Sequence, residues 1–296
     1  MSSSNATTGD SSSMRKLQQT EERQSPSASA LAMLKWEDGD LPTSPWEYWT
    51  ERSGHWAPIV DHEHKIILCT ITKAACTAWR KFMRRLKGFK DWDTNDERIT
   101  HNYGGRQSGL TYLSAYSTLE ADKLMNDPSY FKAVVVRNPL TRVLSAWKDK
   151  YGPNSVHHWG NIKWDKFALN NVHAGCRGDE HWMQQSCFCG LRRWKYDRVA
   201  HMEGDGMQRL AKEMVSRGNV PSDFVNNGWG EKRDEAFLQS NTVFHRTGAS
   251  TKAASYYGVK SHPGVLKHVV AAHKEDIVRF GYEEEVAALI DAASEH

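Results

Sequence analysis

Two short, unbroken apolar runs punctuate this chain, and each leads into a segment with helical spacing. The first, KIILCTI at residues 65–71, lacks polar alternation and is rich in β-branched residues, as a strand covered on both faces would be. Behind it Trp79, Phe82, Met83 and Leu86 recur at helical intervals, which predicts a helix from about Cys76 to Lys87. The second run, FKAVVVR at 131–137, predicts another buried strand. NPLTRVLSAWKDKYG follows it, with Pro139 near the helix start and Gly152 just past the end. Leu140, Val143, Leu144 and Trp147 form an inward face, while Asn138, Arg142, Ser145 and Asp149 fall on the other side. Between the two units, residues 88–110 read as loop and YLSAYSTLEADKLMND as a helix closed by Pro128. Strand, turn and helix twice over, with a helix between, predict an α/β fold: one domain with a central parallel sheet flanked by helices. Ligands of such sheets bind at the carboxyl ends of the strands.

Outside this patterned region the polarity changes. Residues 1–30 hold nine serines and no periodicity, so they are expected to be a disordered tail. Residues 31–64, rich in tryptophan and proline, are expected to be an irregular lead-in, with the ordered domain running over 65–290. The 296 residues include 12 tryptophans and 39% apolar residues, enough for a sizeable core. Thirty-nine basic against 36 acidic residues leave a charge of +3, too balanced for a general nucleic-acid binder. No apolar run approaches the ~20 residues of a membrane helix, and no secretory signal is visible, so the chain as given reads as soluble. Five cysteines make no disulfide framework, and Cys69 reads as a small core residue.

The chemistry gathers at the two strand ends. In TKAACTAW, residues 72–79, the helix start supplies unpartnered N–H groups and the positive end of a dipole. Ala74 and Ala75 let the backbone approach an anion, Thr77 offers a hydroxyl, and Lys73 adds an ammonium. The glycines of a Walker loop are missing, and without them or a clear magnesium-binding acidic strand a P-loop kinase is a poor fit. A lysine on an ordinary surface turn is the bland alternative. At the second corner Arg137 ends its strand, and Arg142 and Ser145 share one helix face, so Arg137 and Ser145 could grip a phosphate from two sides. Helix capping or a surface ion pair is the bland alternative there. Two anion corners side by side imply a ligand with two separated anionic groups. A third cluster, His157, His158, His173, Cys176, His181, Cys187 and Cys189, raises a structural zinc site, but its spacings repeat no zinc-finger pattern and no metal is expected.

LCTITKAACTAWRKFM resembles the 5′-phosphosulfate loop of Golgi carbohydrate sulfotransferases, close to P-K-[VA]-A-C-T-x-W. VVVRNPLTRVLSAWKDKY resembles their 3′-phosphate motif. DEHWMQQSCFCGLRRWKYDRVAHME and HKEDIVRFGYE are similar to two further family stretches, in the family's order along residues 65–283. The nearest likeness is to the chondroitin, dermatan and HNK-1 type enzymes. Three departures stand out. Thr72 replaces a proline and is expected to loosen the loop, CFC replaces C-x-x-C so that its disulfide pairs differently or is absent, and the family's signal-anchor helix is missing.

The resemblance implies the sulfotransferase fold and 3′-phosphoadenosine 5′-phosphosulfate (PAPS) as donor, with no metal. It implies transfer to a hydroxyl, on a carbohydrate or on a small metabolite, and a Golgi address, with a soluble location as the alternative because of the missing anchor. A non-catalytic anion-binding scaffold is the reading of another class. Lys73 would stabilise the leaving 5′-phosphate oxygen, cradled by Ala74, Ala75, Cys76, Thr77 and Ala78. Arg137, Arg142 and Ser145 would fix the 3′-phosphate, with Arg246, Thr247 and Gly248 as contacts from the C-terminal part. Trp79 would stack on adenine, or else pack in the core. His181 is the candidate general base, with Glu180 beside it as the alternative and a buried structural histidine as the bland reading. Trp92, Tyr103, Trp159 and Trp164 could form a sugar platform or simply pack.

Overall fold

The computed structural model describes residues 25–36, 41, 56–100, 108–153, 155, 159–230, 232–237 and 248–296. The two apolar runs form adjacent parallel strands, β2 (Ile66–Thr70) and β3 (Phe131–Val136), every residue of which is buried. Their register pairs Cys69 with Val134 and Thr70 with Val135, so the turns that follow emerge side by side. That register is what makes two distant sequence motifs into one site.

Two further strands complete the sheet. β1 (Ile59–Asp61) lies antiparallel on the outer side of β2, and β4 (Arg198–His201) lies parallel to β3, giving the order β1-β2-β3-β4. The sheet is therefore mixed: three parallel strands and one antiparallel edge. β1 falls inside the stretch expected to be irregular, because three residues are too few for a periodicity to show. β4 presents a half-exposed pattern with only Ala200 buried, so no apolar run marks it.

Helices cover the sheet. α1 (Ala28–Leu34) straddles the boundary expected at residue 30; Ser27 caps it and donates its hydroxyl to Asp291 at 2.6 Å. α2 (Cys76–Leu86) and α4 (Pro139–Lys150) follow β2 and β3 at the expected places. α3 (Thr118–Asn126) is shorter than its predicted span, since Ser117 and Glu120 form a reciprocal capping box that starts the helix there. α5 (Trp164–Asn171), α6 (Gly206–Ser216), α7 (Ala249–Tyr256), α8 (Val265–Ala272), α9 (Lys274–Arg279) and α10 (Glu283–Glu295) complete the layers. The polar side of α4 does not face water: Arg142 is 0% exposed, Ser145 1% and Asp149 7%. A helix buried all round must find partners for its polar groups, and on α4 these lie in the site.

Two disulfides correct the reading of the cysteines. Cys69, in β2, bonds to Cys189, and Cys176 bonds to Cys187, leaving the buried Cys76 outside any disulfide. The CFC segment thus holds two separate bridges, its first cysteine closing a short loop and its second stapling the segment to the sheet. Closing a 120-residue span contributes about 5 kcal/mol in the loop-entropy picture. Cys176, Cys187 and Cys189 are committed to sulfur–sulfur bonds, so the zinc reading loses three of its ligands; His157 and His158 lie outside the described residues.

Candidate active site

The loop after β2 enters the left-handed region twice without a glycine. Lys73 and Ala75 both take positive φ, 64° and 60°, in the left-handed region that non-glycine residues enter only at a cost. Ala75 is the N-cap of α2 and contributes no side chain to it, so the first-turn N–H groups have no side-chain cap. The chain thereby turns into α2 at the positive end of its dipole, with the Ala74 N–H donated back to the Ile71 carbonyl at 3.1 Å.

The ammonium of Lys73 sits 3.1 Å from a carboxylate oxygen of Asp149 on α4. Burial pulls the lysine below its usual range, and Asp149 opposes that pull. The same Asp149 oxygen lies 3.5 Å from the Lys150 ammonium, whose position over the Trp159 ring, 4.6 Å from its centroid, extends the chain of contacts outward. Asp149 was visible in sequence on the face shared with Ser145, but nothing local marked it as the partner of Lys73.

Arg137 bridges the corners. Its guanidinium donates to the Lys73 carbonyl at 3.1 Å, to the Thr141 hydroxyl at 3.2 Å and to the Ser250 hydroxyl at 3.5 Å. Ser250 lies in the first turn of α7, next to Gly248, which caps that helix at φ 61°. A third chain segment, the start of α7, therefore reaches Arg137. Arg246 and Thr247 themselves lie outside the described residues.

Arg142 behaves differently from Arg137. Fully buried, it donates to the carbonyls of Thr72 (2.8 Å), Met183 (2.6 Å) and Glu180 (2.7 Å). Burial lowers its pKa to about 10, still high enough for a full charge at neutral pH. Its donors are spent on backbone, which makes it a brace for the loop rather than a phosphate ligand. Thr72 is also more than a substitute for proline: its hydroxyl donates to the Glu180 carbonyl at 2.5 Å. The expected loosening is thus reversed, because the side chain adds a tether between the Lys73 loop and the segment carrying His181.

Trp79 lies 1% exposed, with its ring 5.2 Å from Phe82 and 5.0 Å from Phe237. It packs in the core, the alternative to adenine stacking. Ser145 is buried on the loop-facing side of α4. His181 holds Nδ1 2.5 Å from Asp179, and its ring meets Trp159 edge-on at 5.6 Å. Glu180 accepts the Trp56 indole N–H at 2.5 Å, so it is engaged in packing. Of the four aromatic platform candidates, Trp159 is 47% exposed, Trp92 and Trp164 are buried, and Tyr103 lies outside the described residues.

The side-by-side ends of β2 and β3 thus bring Lys73 and Arg137 together, joined through the Lys73 carbonyl. A profile described as the sulfotransferase family matches residues 56–283, about three quarters of the chain. The chain belongs to the sulfotransferase family. The chain is 38% identical over 93 residues to carbohydrate sulfotransferase 10 of Gallus gallus, and 36% identical over 93 residues to that of Homo sapiens. Each of these matches covers 31% of the chain and 25% of the relative. It is also 34% identical over 169 residues to human carbohydrate sulfotransferase 9, covering 49% of the chain and 37% of that relative. The chain thus spans well under half the length of the curated relatives it matches. No solved structure matches it. No helix among the described residues is long and apolar enough to cross a membrane.

Proposed function

We propose that this protein transfers a sulfuryl group from PAPS to a hydroxyl of a carbohydrate. The single observation that carries the reading is the hydrogen bond from Arg137 to the carbonyl of Lys73, which sets two cationic corners against each other at the ends of β2 and β3. One corner suits the 5′-phosphosulfate and the other the 3′-phosphate of the donor. In the transfer, the bond between sulfur and the 5′-phosphate oxygen breaks, and its electron pair stays on that oxygen. A bond forms from the acceptor oxygen to sulfur, and the hydroxyl proton leaves to a base.

Lys73 and the amide-lined turn of Ala74, Ala75, Cys76, Thr77 and Ala78 stabilise the charge that grows on the leaving oxygen. Arg137, with Ser145 on the neighbouring helix, holds the 3′-phosphate. His181 takes the proton: Asp179 at Nδ1 fixes the ring and leaves Nε2 as the accepting atom. The relatives' names support a sugar acceptor, and the half-exposed Trp159 beside His181 offers an aromatic surface for one. Two disulfides favour an oxidising compartment, in keeping with the Golgi lumen.

The test is transfer of labelled sulfate from PAPS to a panel of glycans and small alcohols. Lys73→Ala is expected to lower turnover by roughly 10²–10³-fold or more in a protein that still folds. Unchanged turnover in that variant would remove Lys73 from the reaction. Transfer to small alcohols but to no glycan would overturn the acceptor class.

A further inference from the structure

The Arg137 corner is braced by residues from three distant segments, and the bracing follows a simple rule of backbone accounting. β4 pairs with β3 as far as Val136, whose carbonyl takes the N–H of Met202 at 2.7 Å. Arg137 is one residue past that ladder and 6% exposed, so its own N–H and C=O need other partners. The Gln185 side chain supplies both. Its amide oxygen accepts from the Arg137 N–H at 2.9 Å, and its amide nitrogen donates to the Arg137 carbonyl at 2.8 Å. A side-chain amide here imitates one more residue of a neighbouring strand.

Gln185 is itself held. Its backbone N–H and that of Ser186 donate to the two oxygens of Asp276, at 2.5 and 2.9 Å. Gln185 and Asp276 are both 0% exposed. A second brace meets the next residue: Glu203 accepts from the Asn138 N–H at 3.0 Å and from the Tyr282 hydroxyl at 2.9 Å. The two motifs without an assigned role, QQS at 184–186 and the segment DIVRFGY at 276–282, thus end on the main chain of residues 137 and 138.

We infer that Gln185 and Asp276, with Glu203 and Tyr282 behind Asn138, are positioning residues that fix the Arg137 guanidinium for the 3′-phosphate of the nucleotide. The inference rests on the reading of Arg137 as the 3′-phosphate ligand. A guanidinium on a flexible stem is aimed by its backbone, and a backbone bonded at both N and O leaves only the side-chain torsions free. Loss of the clamp therefore falls on 3′-phosphate affinity and spares the rest of the nucleotide.

The experiment is calorimetric titration of the full chain with adenosine 3′,5′-bisphosphate and, separately, adenosine 5′-phosphate, which lacks the group in question. Gln185→Leu is expected to weaken the bisphosphate about tenfold, and Gln185→Glu, which keeps the acceptor but loses the donor, roughly threefold. The monophosphate should change by less than about twofold, and KM for PAPS should rise more than kcat falls. Equal losses for both nucleotides would mean a merely structural role and overturn the inference, as would wild-type discrimination in a folded Gln185→Leu. If Gln185→Leu does not fold, Gln185→Glu and Asp276→Asn carry the same reading with the same two outcomes. Arg137→Ala separates the premises. Wild-type bisphosphate affinity there sinks the 3′-phosphate reading itself, whereas loss there with none in the Gln185 variants sinks only the clamp.

Discussion

The two corners of the site are built on opposite plans. At the Lys73 corner, the functional ammonium is tethered by an ion pair to Asp149, at the end of a flexible side chain on a strained turn. At the Arg137 corner, the functional residue is bonded at its N–H, its carbonyl and its guanidinium, by partners drawn from residues 73, 141, 185 and 250. The contrast matches the tasks proposed for them. A group that meets charge as it develops gains from a partner it can leave, whereas a group that anchors a constant phosphate gains from being fixed beforehand. What the Lys73 corner lacks in side-chain bonds it recovers from behind, through Arg142 and Thr72.

That division of labour can be broken at graded cost. The largest effect on the fold is expected from Arg142→Met, which takes the guanidinium donor from the carbonyls of Thr72, Met183 and Glu180, the last of which keeps only the Thr72 hydroxyl. Urea unfolding should show a loss on the order of 3 kcal/mol. Lysine at this position should not restore it, because an ammonium cannot span the three acceptors. A loss within experimental error would mean that the loop holds its shape alone.

Asp149→Asn sharpens the other half of the contrast. Lys73 must be protonated to stabilise an oxyanion; burial lowers its pKa and Asp149 opposes that lowering. Removing the carboxylate lets the pKa fall further, so the alkaline limb of the kcat/KM profile should move to lower pH. At neutral pH the loss should stay well below the roughly 10²–10³ expected for removing the lysine. An alkaline limb that stays in place would show that another group governs it.

The smallest effect is expected from Thr72→Val, which keeps the shape but loses the hydroxyl bond to Glu180. About 1 kcal/mol of stability should go, read as a shift in the denaturation midpoint. If the tether also sets His181 relative to Lys73, kcat should fall with it while KM for PAPS holds. A fall in neither would leave Thr72 a passive replacement for proline.

Much of this architecture was readable along the chain. β2, β3, α2 and α4 announce themselves through apolar runs and helical spacing, and Lys73 and Arg137 stand at turns where an anion is physically favoured. The helix capped by Ser117 begins six residues after Tyr112, because Leu113 and Tyr116 extend an apolar spacing that the capping box then overrules. Trp79 carried a motif position yet packs into the core, since motif membership says nothing about which way an indole turns. Cys69 was read as a filler of the core for the same kind of reason: its partner is 120 residues away.

Local chemistry, then, decided which segments are strands, which turns favour anions and which residues carry the charges. Register and burial decided the rest. Whether the polar stripe of α4 meets water or the Lys73 loop, which glutamine completes the ladder at Arg137, and which carboxylate restrains Lys73 all depend on segments tens of residues apart meeting in a dry interior. There each polar group must find a partner, and the partner is whatever the fold brings within about 3 Å. Spacing along the chain carries no record of that distance.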